Sequence, residues 1–441
     1  MRVIHLSLAD FRNYAEAEAA FAPGRNLVVG RNGQGKTNLV EAIAYFASLH
    51  SHRVSADAAL IRAGMDTAVA RMRVGVNDRE ALLELEFNRH APNRARINRN
   101  AQRPRELMRW FSAIVFAPED LMIVRGDPAG RRRFLDEALV ARTPSLAGVL
   151  SDYDRVVRQR TALLKSARAN RAGSAVNATL GVWDEQLTAL GSRIMFERRA
   201  LLGALSTPLQ QAYHSLVEVD HEPRLILQET VAQALGGGPA DVSRETGGVE
   251  LDPRNGATEG GPAAGDAVDG DGASSSDVSR ETLERDFRAA LAAVRSQELE
   301  RAVTLVGPHR DDVLFALNGL PVKGYASHGE SWSFALSLRL AVAELLRHES
   351  PAGDPVMILD DVFAELDTER RARLMEAVDT YEQVIVTAAV EADVPRDREW
   401  HTIRIAAGTV VDPHEPGSFG PGGGHDAVDG AAVPRSGADD S

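Results

Sequence analysis

Residues 27–43 read L-V-V-G-R-N-G-Q-G-K-T-N-L-V-E-A-I. An apolar run leads into three glycines, one lysine and a hydroxyl, and then into apolar residues at helical spacing. Positions 30–37 fit G-x-x-x-x-G-K-[ST] in full. Leu27, Val28 and Val29 predict a strand, and Leu39, Ile43 and Phe46 put an apolar face on a helix from Thr37 onward. Glycines let such a loop curl so that its N–H groups point at phosphate oxygens, and the helix start adds positive potential. Gly30, Arg31, Asn32, Gly33, Gln34, Gly35, Lys36, Thr37 and Asn38 are therefore the candidate phosphate-binding stretch. Lys36 is placed to reach the outer phosphates, and the Thr37 hydroxyl to meet Mg²⁺. The chain holds only three lysines (Lys36, Lys165 and Lys323) among 50 basic side chains. Keeping one here, where a slim point charge must fit, favours the phosphate reading over a glycine turn that binds nothing.

Its counterpart lies far downstream. Residues 356–361 read V-M-I-L-D-D, four apolar residues that bury a strand and deliver two carboxylates at its end. Asp360 is the candidate Mg²⁺ ligand alongside Thr37. Asp361 is the candidate catalytic carboxylate, poised to position or deprotonate water, with Lys36 as the second catalytic residue. Between the two motifs, residues 325–330 read Y-A-S-H-G-E and open another apolar-faced helix, so Ser327 and Gly329 form a second phosphate-sized helix start.

Bulk properties bound the alternatives. With 441 residues the chain suggests two or three domains and a sizeable core. The absence of cysteine excludes disulfide scaffolds, zinc-thiolate sites and thiol catalysis, and fits a reducing cytoplasm. No apolar run reaches eighteen residues, so no transmembrane helix and no membrane partner is expected. The N-terminus alternates apolar and polar residues like a strand rather than a signal peptide. The net charge of -13 is adverse to nucleic acid, but it is concentrated. Residues 236–277 hold nine acids and two arginines, and 412–441 hold six acids and one arginine. The remainder is close to neutral and free to present a basic face. Both acidic segments lack the apolar content to fold, so 236–281 reads as a disordered acidic insertion and 412–441 as a disordered acidic tail. The hexapeptide D-V-S-R-E-T occurs at 241–246 and again at 277–282. It is read as a binding motif, a low-complexity duplication, or a palindrome constrained in the gene.

The ordered chain divides in three. Residues 1–130 and 302–411 alternate strands and helices. Residues 131–235 and 282–301 look helical, with Trp183, Leu187, Leu190, Ile194 and Leu201 on one helix face. The expected fold is α/β, one head built from both ends of the chain with an inserted helical arm. Residues 89–109 read R-H-A-P-N-R-A-R-I-N-R-N-A-Q-R-P-R-E-L-M-R, with seven arginines and one acid. A basic hairpin or loop of this kind suits sequence-independent phosphate contact, and Arg94, Arg96, Arg99, Arg103 and Arg105 are the candidate DNA-binding residues. Arg131, Arg132 and Arg133 are a second candidate, alternatively pairing inside the arm.

Six blocks in order make a resemblance specific: LADFRNY (8–14), GRNGQGKTNLVEAI (30–43), FAPEDL (116–121), RRRFLD (131–136), GPHRDD (307–312) and LDDVFAELD (359–367). The chain resembles the RecF family of bacterial recombination and gap-repair proteins, which are ABC ATPases like SMC and Rad50 with a short arm. The resemblance covers most of residues 1–410. It implies an ABC-type P-loop ATPase head that binds ATP and Mg²⁺ and dimerises on ATP. It further implies binding to duplex and gapped DNA, and work with RecR and RecO in loading the recombinase. By it Ser327 and Gly329 serve the opposite nucleotide, and Arg12 and Asn13 are read either as neighbours of the nucleotide base or as turn residues. The chain departs at His328 and at Glu330, where the family carries Gln, and Thr387 stands where other ABC ATPases keep a switch histidine. Asp361 replaces the glutamate of fast ABC enzymes and implies slow, DNA-stimulated turnover. The alternative is a nucleotide-binding scaffold with little catalysis. A transporter cassette fits less well because of the arm, the GPHRDD block and the lack of any membrane-coupling feature, and an SMC or Rad50 protein because its arm needs hundreds of heptad residues and this one is short.

Overall fold

The computed structural model describes residues 1–54, 56–77, 79–170, 174–237, 240–241, 279–395 and 398–411. Most of the two acidic segments, and with them most of the first D-V-S-R-E-T copy and the first two residues of the second, lies outside the described residues; Ser279 of the second copy caps the helix Arg280–Arg301.

Two sheets enclose the helix Lys36–Ser48. The first takes strands from both chain ends, in the order Thr409–Val411, His401–Ala406, Gly24–Val29, Gln383–Ala388, Val356–Leu359 and Ala113–Phe116. All these neighbours are parallel except the antiparallel edge strand Thr409–Val411. The second is antiparallel, in the order Tyr14–Ala20, Arg2–Phe11, Thr67–Val76, Arg79–Asn88, Arg94–Ile97 and Asn100–Gln102. Alternation along the parallel strands sorts their side chains between two cores. Val28, Ile358 and Ile385 join Leu39, Ile43 and Phe46 against the antiparallel sheet. Leu27, Val29, Met357, Leu359, Val384 and Val386 face the opposite side, where the helix His328–Glu349 covers them.

The arm is built from Leu146–Asn170, Ser174–Val217 and Arg280–Arg301. Leu187, Ile194 and Leu201 are buried as the helix stripe predicts, while Trp183 and Leu190 are partly buried beside the arm core. Residues 131–235 are not helical throughout. Arg224–Gln228 is a strand, paired with Asp312–Leu317 in a small third sheet. Its alternating burial is short enough to merge with the helical pattern on either side. Phe134, Leu135, Leu205 and Leu209 also lie in the same buried cluster as the parallel sheet, so the root of the arm shares the head's core.

Arg160 is fully buried and ties the three arm helices together. It donates to Asp184 at 2.8 Å, to Glu298 at 3.1 and 2.5 Å, and to Thr304 Oγ1 at 3.0 Å.

The blocks RRRFLD and GPHRDD meet at the arm root. Arg131 forks onto Asp312 at 2.7 and 2.8 Å, and Arg132 donates to the Asp311 carbonyl at 2.8 Å. Arg198 joins Asp136 and the Pro308 carbonyl, at 2.6 and 2.7 Å. Gly307 has φ +120, and a Cβ there would sit 2.4 Å from Phe287 and 2.6 Å from the Tyr153 hydroxyl, so the turn tolerates only glycine. His309 shares a hydrogen bond with that hydroxyl through Nδ1 at 2.8 Å. Burial, then the charges of Arg310 and Arg132, hold the His309 imidazole far below its ordinary value, at about 3.

The folded state therefore refuses a proton that the unfolded histidine accepts. The stability involved is present above pH 6.5 and is lost as pH falls from 6.5 toward 3. Against a His309→Gln variant, the parent's advantage in urea unfolding should shrink between pH 7 and 5, by at most about 1.4 kcal/mol per pH unit. Asp311, raised to about 6 mainly by burial, titrates in both proteins and cancels in the comparison. A difference that stays constant with pH would show that His309 is not held neutral.

Candidate nucleotide site and basic hairpin

Strand Gly24–Val29 stops before Gly30, and the chain turns through 30–35 into the helix Lys36–Ser48. Gly35, at φ +118, is the residue before the helix, and no side chain caps the helix start. The first N–H groups of that helix are thus left for a ligand. A Cβ on Gly35 would lie within 2.9 Å of the Asn13 and Tyr14 side chains, which explains the glycine.

Those two side chains hold the loop from behind. The Tyr14 hydroxyl donates to the Gly35 carbonyl at 2.9 Å, and Asn13 Nδ2 to the Gln34 carbonyl at 3.0 Å. Asn38 Nδ2 donates back to Asn13 Oδ1 at 2.7 Å. From the far edge, Gly408 N–H donates to the Gln34 carbonyl at 3.2 Å. Asn13 is a buttress of the loop. Arg12 is committed elsewhere, forking onto the buried Glu41 at 2.8 and 2.6 Å, with Ser51 on the same carboxylate. These partners were not visible as pairs in the sequence, although LADFRNY stood out as a block.

The downstream acids arrive across the sheet. Thr37 Oγ1 donates to Asp360 Oδ1 at 3.1 Å, joining residues 323 positions apart. Thr387, 1% exposed at the end of the neighbouring strand, lies 2.7 Å from Asp360 Oδ1 and 3.3 Å from Asp361 Oδ1. It also accepts from the Asp361 N–H at 2.9 Å. Asp361 has φ 51 and ψ 19, a left-handed conformation that turns it out of the strand. Burial raises the Asp360 carboxyl to about 6; Asp361 adds to the rise, and the Thr387 and Thr37 hydroxyls oppose it. Lys36 is 4% exposed and donates to Asn32 Oδ1 at 3.3 Å.

This arrangement fits a nucleotide and its magnesium. The helix start lacks a cap, Gly33 has open space where a Cβ would stand, and a buried lysine lies in the loop. Thr37 and Asp360 supply a hydroxyl and a carboxylate oxygen side by side, hard oxygen donors of the kind Mg²⁺ takes.

Ser327 caps the second helix, His328–Glu349, in a capping box. Ser327 Oγ accepts from Glu330 N–H at 3.2 Å, and Glu330 Oε2 accepts from Ser327 N–H at 2.7 Å. The Glu330 carboxylate therefore points back into the cap. The hydrogen bonds from Ser327 hold it below the usual carboxylate range. His328 and Gly329 stand beside it, with Arg125 NH1 3.3 Å from His328 Nδ1. Within this one chain, Ser327 and Gly329 belong to a different surface element from the loop 30–37.

Arg94 and Arg96 lie in strand Arg94–Ile97 and Arg99 in the turn that follows, while Arg103 and Arg105 lie at the next short helix, Pro104–Arg109. All five are exposed. Arg131 is not part of this surface, being buried against Asp312.

The family model described as RecF/RecN/SMC N terminal domain matches residues 2–407. The DNA replication and repair protein RecF of Leifsonia xyli subsp. xyli is 54% identical over 413 residues, covering 94% of this chain and 100% of that relative. RecF of Clavibacter michiganensis subsp. michiganensis is 53% identical over 418 residues, covering 95% and 98%. The chain belongs to the RecF family. A solved structure of the recombination mediator protein RecF-ATPrS in the RecFOR pathway has the same fold, with TM-score 0.76 and 24% identity over 93% of this chain and 97% of that one. The RecF-ATP structure gives TM-score 0.75 at the same identity. The RecF head is an ABC-type α/β fold with a helical arm. Among the described residues no helix is long and apolar enough to cross a membrane.

Thr387 touches both acids and has the least visible signature in the sequence. A Thr387→Val variant should lose on the order of 1–3 kcal/mol of stability in denaturant unfolding, because it strips a buried carboxylate of a donor. Thr387→Ser should keep most of it. Equal losses from the two would assign the effect to packing instead.

Proposed function

We propose that this chain is an ATP-dependent DNA-binding protein of recombinational repair and replication restart. In this reading it is a slow, DNA-stimulated ATPase whose heads pair on ATP, clamp duplex DNA near single-strand gaps and, with RecR and RecO, help load the recombinase. The observation that carries this is the convergence of Thr37, Asp360, Thr387 and Asp361 beside an uncapped phosphate loop. The family relatives, named for replication and repair, and the RecF structures described with ATP support it.

Each residue has a task in that reading. Amides of 33–37 and Lys36 bind the phosphates, and Lys36 places its charge at the outer ones. Thr37 and Asp360 hold Mg²⁺, which neutralises phosphate charge when bound. Asp361, held by Thr387, orients water for attack. Ser327 and Gly329 act on the nucleotide of a second copy, where the tucked Glu330 carboxylate does not oppose the phosphates. The short Asp361 side chain fits slow turnover.

Hydrolysis measured against protein concentration, with and without duplex DNA, tests the proposal. Specific activity should rise with concentration and with DNA, and Lys36→Ala or Asp361→Asn should abolish it. A rate strictly proportional to protein and indifferent to DNA would overturn the shared-nucleotide mechanism.

We propose that the arginine hairpin supplies phosphate contacts. Replacing Arg94, Arg96 and Arg99 together should make the log–log salt dependence of duplex binding shallower by about 2–3, near 0.9 per lost contact. An unchanged slope would move the DNA path elsewhere.

A further inference from the structure

The helix Lys36–Ser48 runs away from the phosphate loop for about 20 Å at 1.5 Å per residue. At its far end a cavity of about 1130 Å³ opens between the head and the arm root. Its walls come from residues 48–54, the turn Pro104–Arg109, the edge strand Ala113–Phe116 and the helices Pro128–Arg142 and Leu146–Asn170.

Among the described residues six arginines line it: Arg103 and Arg105 from the foot of the hairpin, Arg132 and Arg133 from the arm root, and Arg198 and Arg339, which are already paired with Asp136 and with Asp120 and Glu137. Among the described residues, Arg103 and Arg133 have no carboxylate within ion-pair distance. Arg132 gives one N–H to a carbonyl, and Arg105 has its sequence neighbour Glu106 at 3.6 Å. The carboxylates on the walls are mostly engaged by other cations. Asp136 holds Arg198, Glu137 holds His50 at 2.8 Å and Arg339 at 3.6 Å, and Asp152 holds Arg155. Asp154 is the exception: among the described residues it has no ion-pair partner, and burial, then the charge of Asp136, raises its carboxyl, with Arg158 and Arg198 opposing the rise. A separate sign of an absent partner is His52, also on the wall, whose Nε2 is buried without a hydrogen bond.

Arg103 and Arg133, unpaired guanidinium groups from two separate elements, together with an orphaned imidazole nitrogen, make a donor-rich cleft in which three of the four wall carboxylates are already paired. Several planar forks match the spread charge of phosphate better than a lone carboxylate does. The aromatic side chains on the walls, Phe134 and Tyr153, are each 2% exposed and offer no face for stacking a base. We propose that this cleft is a phosphate-binding site separate from the nucleotide loop, taking the phosphate groups of a nucleic-acid strand or of a free polyphosphate without reading bases. If the source is a strand, the cleft continues the hairpin's track through the shared Arg103 and Arg105, and that extension rests on the hairpin reading. Arg133 belongs to the cleft alone.

The test uses the full chain carrying Lys36→Ala, so that the nucleotide loop is silent. Pyrophosphate binding is followed by calorimetry, and binding of a short fluorescent oligothymidylate by anisotropy. Saturable binding is expected for at least one probe. Arg103→Ala with Arg133→Ala should weaken it about tenfold or more, as for two lost charge-assisted contacts. Arg288→Ala, on the exposed arm surface, should leave it unchanged. Unfolding midpoints show that each variant folds. An oligonucleotide that binds and resists pyrophosphate assigns the strand; displacement by pyrophosphate, or binding of pyrophosphate alone, assigns the phosphate group itself. Absence of binding by both probes, or an equal loss from Arg288→Ala, overturns the site. Arg133→Ala alone should weaken the bound probe several-fold; an affinity unchanged by Arg133→Ala but lost with Arg103→Ala would assign the binding to the hairpin and overturn the cleft, which separates the two readings.

Discussion

The insertion of strand Gly24–Val29 between Gln383–Ala388 and His401–Ala406 is the pairing on which the rest depends. It joins residues more than 350 positions apart in parallel register, which no local turn can do. Parallel strands deliver their C-terminal ends to one edge of the sheet, and that edge is where ligands bind in such folds. The phosphate loop, the two acids and Thr387 all leave strands at this edge. The head therefore cannot complete its site until both ends of the chain are in place, and the arm, lying between them in sequence, must fold as a loop out of one sheet.

Much of this was legible in the residues. The phosphate loop was readable because its glycines, lysine and threonine have a fixed order imposed by phosphate geometry. VMILDD was readable because four apolar residues followed by two acids describe a buried strand with a charged end. The strand Arg224–Gln228 was not, since five residues with three apolar positions carry too little periodicity against long helices. The fork between Arg131 and Asp312 was also hidden. Charge pairs across 181 positions leave no local pattern, and a run of three arginines reads equally well as surface. Thr387 could be named only as a substitute for another residue; its contacts with both acids needed the register of two strands.

Glu330 shows how local chemistry changes the meaning of a charge. Read along the chain, a carboxylate at a phosphate-facing helix start is adverse. In the fold it satisfies the Ser327 N–H, an orphan donor of the helix end, and its charge is spent inside the cap. The same applies to Arg12, which a linear reading could place near a base but which neutralises the buried Glu41. Glu41 lies on the helix Lys36–Ser48 itself, so this pair fastens that helix to the first strand.

The buried guanidinium of Arg160 has a consequence for how the family can vary in length. Its partners Asp184 and Glu298 lie on helices that flank the acidic segment, so the register between those helices is fixed by a charge that tolerates no slippage. Sliding either helix by one turn would strand an ion in the arm's interior. Between them the strand Arg224–Gln228 and the buried Val231 still belong to the packed structure. Beyond the helix Thr230–Ala234 the chain is relieved of any duty to set the alignment, which makes the acidic segment a natural place for a low-complexity insertion to accumulate.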